Sequence, residues 1–201
     1  VAGIAWPQNA SGWTALTEAE RISGAEAMLA AGKGGKTKVL IGVQSPDWAM
    51  VQPLARHADQ NGADGILCIP PDIADEGELL AYYKRVGALT SRPLVIQAVG
   101  NVSVDLLVKM YETIPTARYV KDEAGEPLDD VEELVRRTNG GMGIWSGRGV
   151  GTMITEMERG FTGHCPYVSL ADIYAEAYDL WHAGQKREAY LRFGAIQAAN
   201  T

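Results

Sequence analysis

The chain has 201 residues, with 18 lysines and arginines against 25 aspartates and glutamates, so its formal charge is −7. This acidic balance argues against a nucleic-acid-binding protein, which needs a basic surface. No apolar run approaches the roughly 18 residues of a membrane span. Two cysteines, Cys68 and Cys165, are too few for a disulfide framework or a cysteine-rich zinc site. We therefore expect a cytoplasmic protein with no nucleic-acid or membrane partner.

Seven short apolar runs alternate with longer amphipathic stretches along the chain. Each run is rich in Val, Ile or Leu and is closed by Gly, Pro or Asn, which is typical of a buried parallel strand. The predicted strands are Val1–Trp6, Val39–Val43, Gly65–Ile69, Leu94–Ala98, Ala117–Lys121, Met142–Ser146 and Gly163–Val168.

Helical patterns fill the intervals between these runs. Thr17 and Ser103 are the start signals of two helices. Leu128–Arg137 carries an apolar stripe and has its acidic residues early, as the helix dipole favours. Asp172–Ala183 and Gln185–Ala199 are predicted to be two final helices.

This succession of β/α units predicts either an open doubly wound sheet or a closed barrel. An open sheet usually carries a glycine fingerprint after its first strand, and Trp6-Pro7-Gln8-Asn9-Ala10 has none. We therefore predict an α/β fold of the (β/α)8 TIM barrel type that lacks its first β/α unit in this sequence. Residues 1–170 would form strands 2 to 8, and residues 171–201 the last barrel helix and the start of a C-terminal helical region.

The active site of a β/α barrel forms where the strands end. Lys121 ends a predicted strand, directly before Asp122. A lysine enclosed in a barrel interior loses solvent, which favours its neutral, nucleophilic amine. The alternative is a solvated lysine at the rim, paired with Asp122 or Glu123. Tyr119 shares the face of Lys121 by strand alternation, and it is either a proton carrier or a packed aromatic residue.

Two further strand ends have both a functional and a structural interpretation. His164 is able to act as an acid or a base, although a lone histidine is more often structural. The segment Gly147-Arg148-Gly149-Val150-Gly151 either holds a phosphate or carboxylate with its amides and arginine, or forms a tight loop without a ligand. No segment has metal-ligand spacing, so we expect no metal.

Several motifs occur in a fixed order along the chain. They are Leu16-Thr17-Glu18-Ala19-Glu20-Arg21, Lys38-Val39-Leu40-Ile41-Gly42-Val43, Gly62-Ala63-Asp64-Gly65-Ile66-Leu67 with Pro70-Pro71, Tyr119-Val120-Lys121-Asp122 and Trp145-Ser146-Gly147. This ordered set resembles the dihydrodipicolinate synthase/N-acetylneuraminate lyase family of class I, Schiff-base aldolases. The resemblance implies that Lys121 forms an imine with pyruvate or another 2-keto acid. It also implies no cofactor and a homo-oligomer, either a dimer or a tetramer.

Two family motifs are changed in this chain. The family loop Gly-Thr-Thr-Gly-Glu, whose threonines hold the substrate carboxylate, corresponds to Gln8-Asn9-Ala10-Ser11-Gly12, which leaves Asn9 and Ser11 as hydrogen-bond donors. Gln97 stands where the family has a proton-relaying tyrosine, and an amide does not carry protons at neutral pH. A dihydrodipicolinate synthase proper is therefore only an alternative interpretation.

Gln97 and Tyr119 together are similar to the 2-keto-3-deoxy sugar acid dehydratases of the family. We predict a lyase that acts through a lysine Schiff base on pyruvate or a 2-keto-3-deoxy sugar acid, by dehydration or retro-aldol cleavage. The resemblance implies Lys121 and Tyr119 as catalytic residues, and as substrate-binding residues Asn9, Ser11, Gln97, Gly147, His164 and Cys165. A catalytically silent keto-acid-binding barrel and a phosphate-binding barrel that uses Arg148 are the alternatives.

Overall fold

The protein is an α/β structure built on one curled parallel sheet. A computed structural model describes residues 1–100, 102–124, 127–147 and 151–199. Within these residues seven strands lie side by side in chain order, and every neighbouring pair is parallel. The strands are β1 Gly3–Trp6, β2 Lys38–Gly42, β3 Gly65–Cys68, β4 Leu94–Gly100, β5 Ala117–Ala124, β6 Gly143–Ser146 and β7 Gly163–His164. The arrangement fits a TIM-barrel-like fold.

Helices follow the strands along the chain. They are α1 Glu18–Gly32, α2 Trp48–Gln60, α3 Glu76–Gly87, α4 Val104–Thr113, α5 Pro127–Arg137, α6 Met153–Arg159, α7 Ala171–His182 and α8 Lys186–Ala199. The two predicted start signals are confirmed. Thr17 and Glu20 form a capping box at the start of α1, and the Ser103 side chain accepts a hydrogen bond from the Leu106 N–H at the start of α4.

The two faces of the sheet have different surroundings because side chains alternate along each strand. One face packs against the helices and supplies the strand residues of the main apolar core. These include Val39, Ile41, Ile66, Ile96, Val120 and Ile144. The intervening residues face the interior of the curl. They include Leu40, Leu67, Val95, Gln97, Tyr119, Lys121 and Trp145.

Strands β4 and β5 are longer than the sequence pattern predicts. They remain paired to their last residues, with Val99 opposite Glu123 and Gly100 opposite Ala124. The prediction that β5 ends at Lys121 is therefore wrong, because backbone pairing with β4 carries the strand further. β7 is shorter than predicted and is followed at once by Cys165 and by Pro166, a residue that is disfavoured within a ladder.

Polar side chains from the helices hold the carboxyl ends of several strands from behind the sheet. The buried guanidinium of Arg21 on α1 donates to the carbonyl oxygens of Gly42 at 2.9 Å and Gln44 at 2.8 Å. The Tyr83 hydroxyl on α3 donates to the carbonyl oxygen of Cys68 at 2.9 Å. These contacts fix the strand ends because buried carbonyl groups require partners.

The last two helices pack with α6 as a second apolar cluster. Its buried members are Met153, Ile154, Met157, Tyr174, Ala177, Trp181, Ala189 and Ile196. In the part of the chain that the structure describes, the helices lack the combination of length and apolar character needed to cross a membrane.

Candidate active site

Strand β5 presents Tyr119, Lys121 and Glu123 to the interior of the curled sheet. These residues alternate with Val120, which belongs to the helix-side core. Lys121 pairs in register with Gln97 on β4 and with Trp145 on β6. The lysine is thus flanked by interior-facing residues from both neighbouring strands.

The amine of Lys121 forms an ion pair with a carboxylate on its own strand. Lys121 Nζ donates a hydrogen bond to Glu123 Oε1, and the two side chains are only 12% and 21% exposed. Glu123 Oε2 accepts a longer hydrogen bond of 3.4 Å from Gln97 Nε2. The structure therefore places Lys121 as a largely buried side chain inside the curl, but it also shows the pairing with Glu123 that belongs to the rim alternative.

Gly147 and Cys165 lie near this ion pair. A Cβ atom on Gly147 would clash with the Glu123 carboxylate and would lie 2.6 Å from Lys121 Nζ, so the absent side chain is what leaves room there. Burial raises the pKa of the Cys165 thiol to about 11, while the charge of Lys121 lowers it and that of Glu123 raises it. Gly147 and Cys165, both predicted as substrate-binding residues, therefore lie close to Lys121.

The Tyr119 ring packs against Trp145. The ring centroids are 4.8 Å apart and the planes are inclined by 32°. Gly143 makes space for this ring, because a Cβ there would clash with Tyr119. Tyr119 lies two residues before Lys121 on the same strand face, so its ring lies on the amino-terminal side of the lysine.

Two buried glutamines lie near this end of the sheet. Gln97 and Gln44 are each 1% exposed, and the side-chain oxygen of each has no hydrogen-bond partner among the described residues. Gln44 Nε2 donates to the carbonyl oxygen of Pro7 at 2.9 Å, which fixes its amide. Gln44 comes after β2 at an even spacing from Leu40, so strand alternation predicts that the two residues share the interior face. This alternation is the sequence signal that could have identified Gln44, which the predicted site omits.

His164 faces away from Lys121. It pairs in register with Ser146 on the helix side of the sheet, and its Nε2 lies 3.0 Å from Glu156 Oε2 on α6. The side chains of His164 and Glu156 are 3% and 5% exposed. The structure does not bring His164 to the other predicted site residues, because the β6–β7 register turns its side chain to the opposite face.

Glu156 is the centre of the polar cluster that includes His164. Its Oε1 accepts hydrogen bonds from Ser146 Oγ and Thr152 Oγ1, both at 2.8 Å. Burial by itself would raise the pKa of Glu156, but the contacts with His164, Ser146 and Thr152 together outweigh it and hold the pKa below its usual value. The folded protein therefore favours the ionised carboxylate.

Replacing Glu156 by glutamine is expected to destabilise the protein at neutral pH by about 1–3 kcal/mol, because buried donors lose their charged acceptor. A lowered pKa gives stabilisation above the unfolded value of about 4.3, which is lost as the pH falls through the folded value. The difference in unfolding free energy between wild type and Glu156→Gln should therefore shrink on acidification to about pH 3. Denaturant unfolding at several pH values measures it. Glu158→Gln on the exposed side of α6 is the control, and a pH-independent difference would contradict the prediction.

Asn9 and Ser11 lie in a short 3-10 turn after β1 and are exposed. Asn9 Oδ1 accepts a hydrogen bond from Trp13 Nε1 at 2.9 Å, and no contact within the described residues joins either side chain to Lys121. Arg148, Gly149 and Val150 of the predicted anion loop lie outside the described residues. Across the described ranges no group of three or more His, Cys, Asp or Glu side chains is placed to hold a metal ion.

Comparison with known proteins identifies the family of this chain. The sequence model of the dihydrodipicolinate synthetase family matches residues 14–195. The chain belongs to this family. It is 29% identical over 121 residues to 4-hydroxy-tetrahydrodipicolinate synthase of Fervidobacterium nodosum, covering 56% of this chain and 41% of that protein. It thus spans less than half the length of this curated relative.

Solved structures of the family share the fold. The 4-hydroxy-tetrahydrodipicolinate synthase of Methylacidiphilum fumariolicum superposes with a TM-score of 0.87 at 22% identity, over 98% of this chain and 67% of that one. YagE, a prophage protein of the dihydrodipicolinic acid synthase family from E. coli, was solved in complex with pyruvate. It has a TM-score of 0.86 at 18% identity, over 98% of this chain and 69% of that one. The predicted family is confirmed.

Proposed function

We propose that this chain carries the active site of a class I lyase that acts on a 2-keto acid through a Schiff base on Lys121. The observation that carries the proposal is the contact between the Lys121 amine and the Glu123 carboxylate inside the curled sheet. A lysine imine is itself the electron sink, so the proposal includes no resident cofactor. Pyruvate or a 2-keto-3-deoxy sugar acid is the proposed substrate.

Glu123 supplies the proton transfers of imine formation. Its carboxylate takes one proton from the Lys121 ammonium group, and the neutral amine attacks the keto carbon of the substrate. The resulting carbinolamine loses its hydroxyl group as water when Glu123 returns the proton. The products are one protonated imine, one water molecule and an ionised Glu123.

The same carboxylate serves the next step. Glu123 takes a proton from carbon 3, and the electron pair moves toward the imine nitrogen to give an enamine. In dehydration, the enamine expels the carbon 4 hydroxyl group, which leaves as water with the proton of Glu123. In retro-aldol cleavage, Glu123 instead takes the proton of the carbon 4 hydroxyl group, the bond between carbons 3 and 4 breaks, and an aldehyde leaves. The electron pair of that bond moves toward the imine nitrogen to give an enamine, which takes the proton back from Glu123 at carbon 3 before water hydrolyses the imine.

The two glutamines support a hydroxylated substrate. Gln97 and Gln44 each bury an acceptor oxygen that has no partner among the described residues. A buried acceptor without a donor is costly, so a ligand that brings hydroxyl groups would be favoured. This argument supports a sugar acid over an unsubstituted keto acid as the physiological substrate.

We also propose that β1 to β7 correspond to strands 2 to 8 of an eight-stranded barrel. Within the described residues the sheet runs from β1 to β7 without pairing of these two edge strands. One further β/α unit would close the barrel between them. A homo-oligomer, dimeric or tetrameric, is proposed from the family alone.

Borohydride trapping tests the proposed function. The protein is incubated with pyruvate, or with a panel of 2-keto-3-deoxy sugar acids, then reduced, and the adduct is located by peptide mass spectrometry. We expect one reduced imine per chain, on the peptide that contains Lys121, and the products distinguish dehydration from cleavage. Binding of keto acids without any adduct would instead favour the catalytically silent barrel.

A further inference from the structure

The carboxylate of Glu156 joins the ends of two neighbouring strands from behind the sheet. Ser146, the last residue of β6, donates to Glu156 Oε1 at 2.8 Å, and His164, the last residue of β7, lies 3.0 Å from Oε2. The side chains of Glu156 and His164 are almost fully buried. The two oxygens of the Glu156 carboxylate therefore contact different strand ends: Oε1 contacts the end of β6, and Oε2 contacts the end of β7.

The residue that follows each of these strand ends belongs to the site on the other face. Gly147 follows Ser146 and lies against the Lys121–Glu123 pair, and Cys165 follows His164. The backbones are linked as well, because the Cys165 N–H donates to the Ser146 carbonyl oxygen at 2.9 Å. A displacement of either strand end would thus change the space available beside Lys121.

We propose that Glu156, with His164, is a positioning residue that sets Gly147 and Cys165 against the Lys121–Glu123 pair. The kinetic part of this inference rests on the proposed Schiff-base function. Arg21 and Tyr83 also hold strand ends, but they bond to backbone carbonyl groups of β2, β3 and β4 and of Gln44 after β2, all of which precede β5 in the sheet. Glu156 acts on the two strands that follow β5.

Positioning matters here because imine formation requires close approach of the amine to the keto carbon. A displacement of about 1 Å in such a geometry costs up to about a hundredfold in rate. Gly147 has no side chain to absorb a displacement, and its backbone already borders Lys121 Nζ. Loosening the β6 end should therefore slow the chemistry more than it weakens the binding of the keto acid.

The test compares Ser146→Ala with Thr152→Ala. Each substitution removes one 2.8 Å hydrogen bond to Glu156 Oε1, but only Ser146 lies on a strand end. Two quantities are measured: the rate of borohydride-trapped imine formation as a function of pyruvate concentration, and the rate of alkylation of Cys165 by iodoacetamide. The fully buried Cys68 is the internal reference for alkylation.

We expect Ser146→Ala to lower the maximal rate of imine formation about tenfold, with little change in the half-saturating pyruvate concentration. Alkylation of Cys165, but not of Cys68, should become faster. Thr152→Ala should behave like wild type in both assays. If Ser146→Ala does not fold, His164→Gln loosens the other strand end and takes its place.

Equal effects of the two substitutions, or no effect of Ser146→Ala on either assay, would overturn the positioning role. If wild type forms no imine, the proposed function fails. The alkylation rates then still decide whether Glu156 sets the position of Cys165, because that assay requires no substrate.

Discussion

Lys121→Met is expected to abolish the reducible adduct with pyruvate. Methionine is unbranched and of similar length, so it preserves packing against the neighbouring strands while it removes the amine. No other group in the contact described here supplies a nucleophile for the keto carbon, and loss of a nucleophile lowers turnover by a factor on the order of 10⁴ to 10⁶. Intact-mass measurement after borohydride treatment, together with an assay of substrate consumption, measures both effects.

Lys38→Met is the matched control for this substitution. Lys38 also lies on a strand, but at the amino end of β2, where its side chain is 68% exposed and pairs with Asp64 at 2.9 Å. Lys38→Met should form the reducible adduct with pyruvate as wild type does. An adduct that persists in folded Lys121→Met would show that another lysine reacts, and the assignment of the nucleophile would be wrong.

Glu123→Gln is expected to retain the lysine but to lose most of the proton transfer. The amide keeps the shape of the carboxylate and a hydrogen-bonding oxygen, yet it cannot accept a proton at neutral pH. We expect turnover to fall by about 10²–10⁴, the usual contribution of a general acid or base. The direct measurement is exchange of the pyruvate methyl protons in D2O by NMR, since this exchange reports removal of the carbon 3 proton without any need to know the physiological substrate.

Tyr119→Phe is the comparison for Glu123→Gln, because Tyr119 is the other ionisable candidate on the same strand face. Its ring packs on Trp145, and phenylalanine preserves that contact. If Glu123 carries the proton, methyl exchange should survive in Tyr119→Phe and be lost in Glu123→Gln. The opposite pattern would indicate that Tyr119, and not Glu123, carries the proton.

The sequence was sufficient to predict the parallel α/β arrangement and the family. Both depend on local signals: short apolar runs, helix caps such as Thr17 and Ser103, and the order of motifs along the chain. Such signals predict structure well because each one depends on only a few neighbouring residues.

The remainder of the site depends on pairing between distant segments. Glu123 lies beyond the predicted strand because the apolar run stops at Lys121, whereas backbone pairing with β4 extends the strand past polar residues. The sequence predicts His164 in the site because it lies near a strand end, and nothing in its own short strand indicates which face it occupies. That face is set by the register of β7 against Ser146 on β6.

The placement of Lys121, the proposed nucleophile, and of the Glu123 carboxylate two residues apart on one strand restricts how the length of this segment can vary. Strand side chains alternate with a period of two, so inserting or deleting one residue between Lys121 and Glu123 would turn the carboxylate toward the helices. A loop-borne acid would tolerate such changes. In this chain the spacing of Lys121 and Glu123 is thus set by backbone pleating, and relatives that keep the pair on one face must keep the segment free of single-residue insertions and deletions.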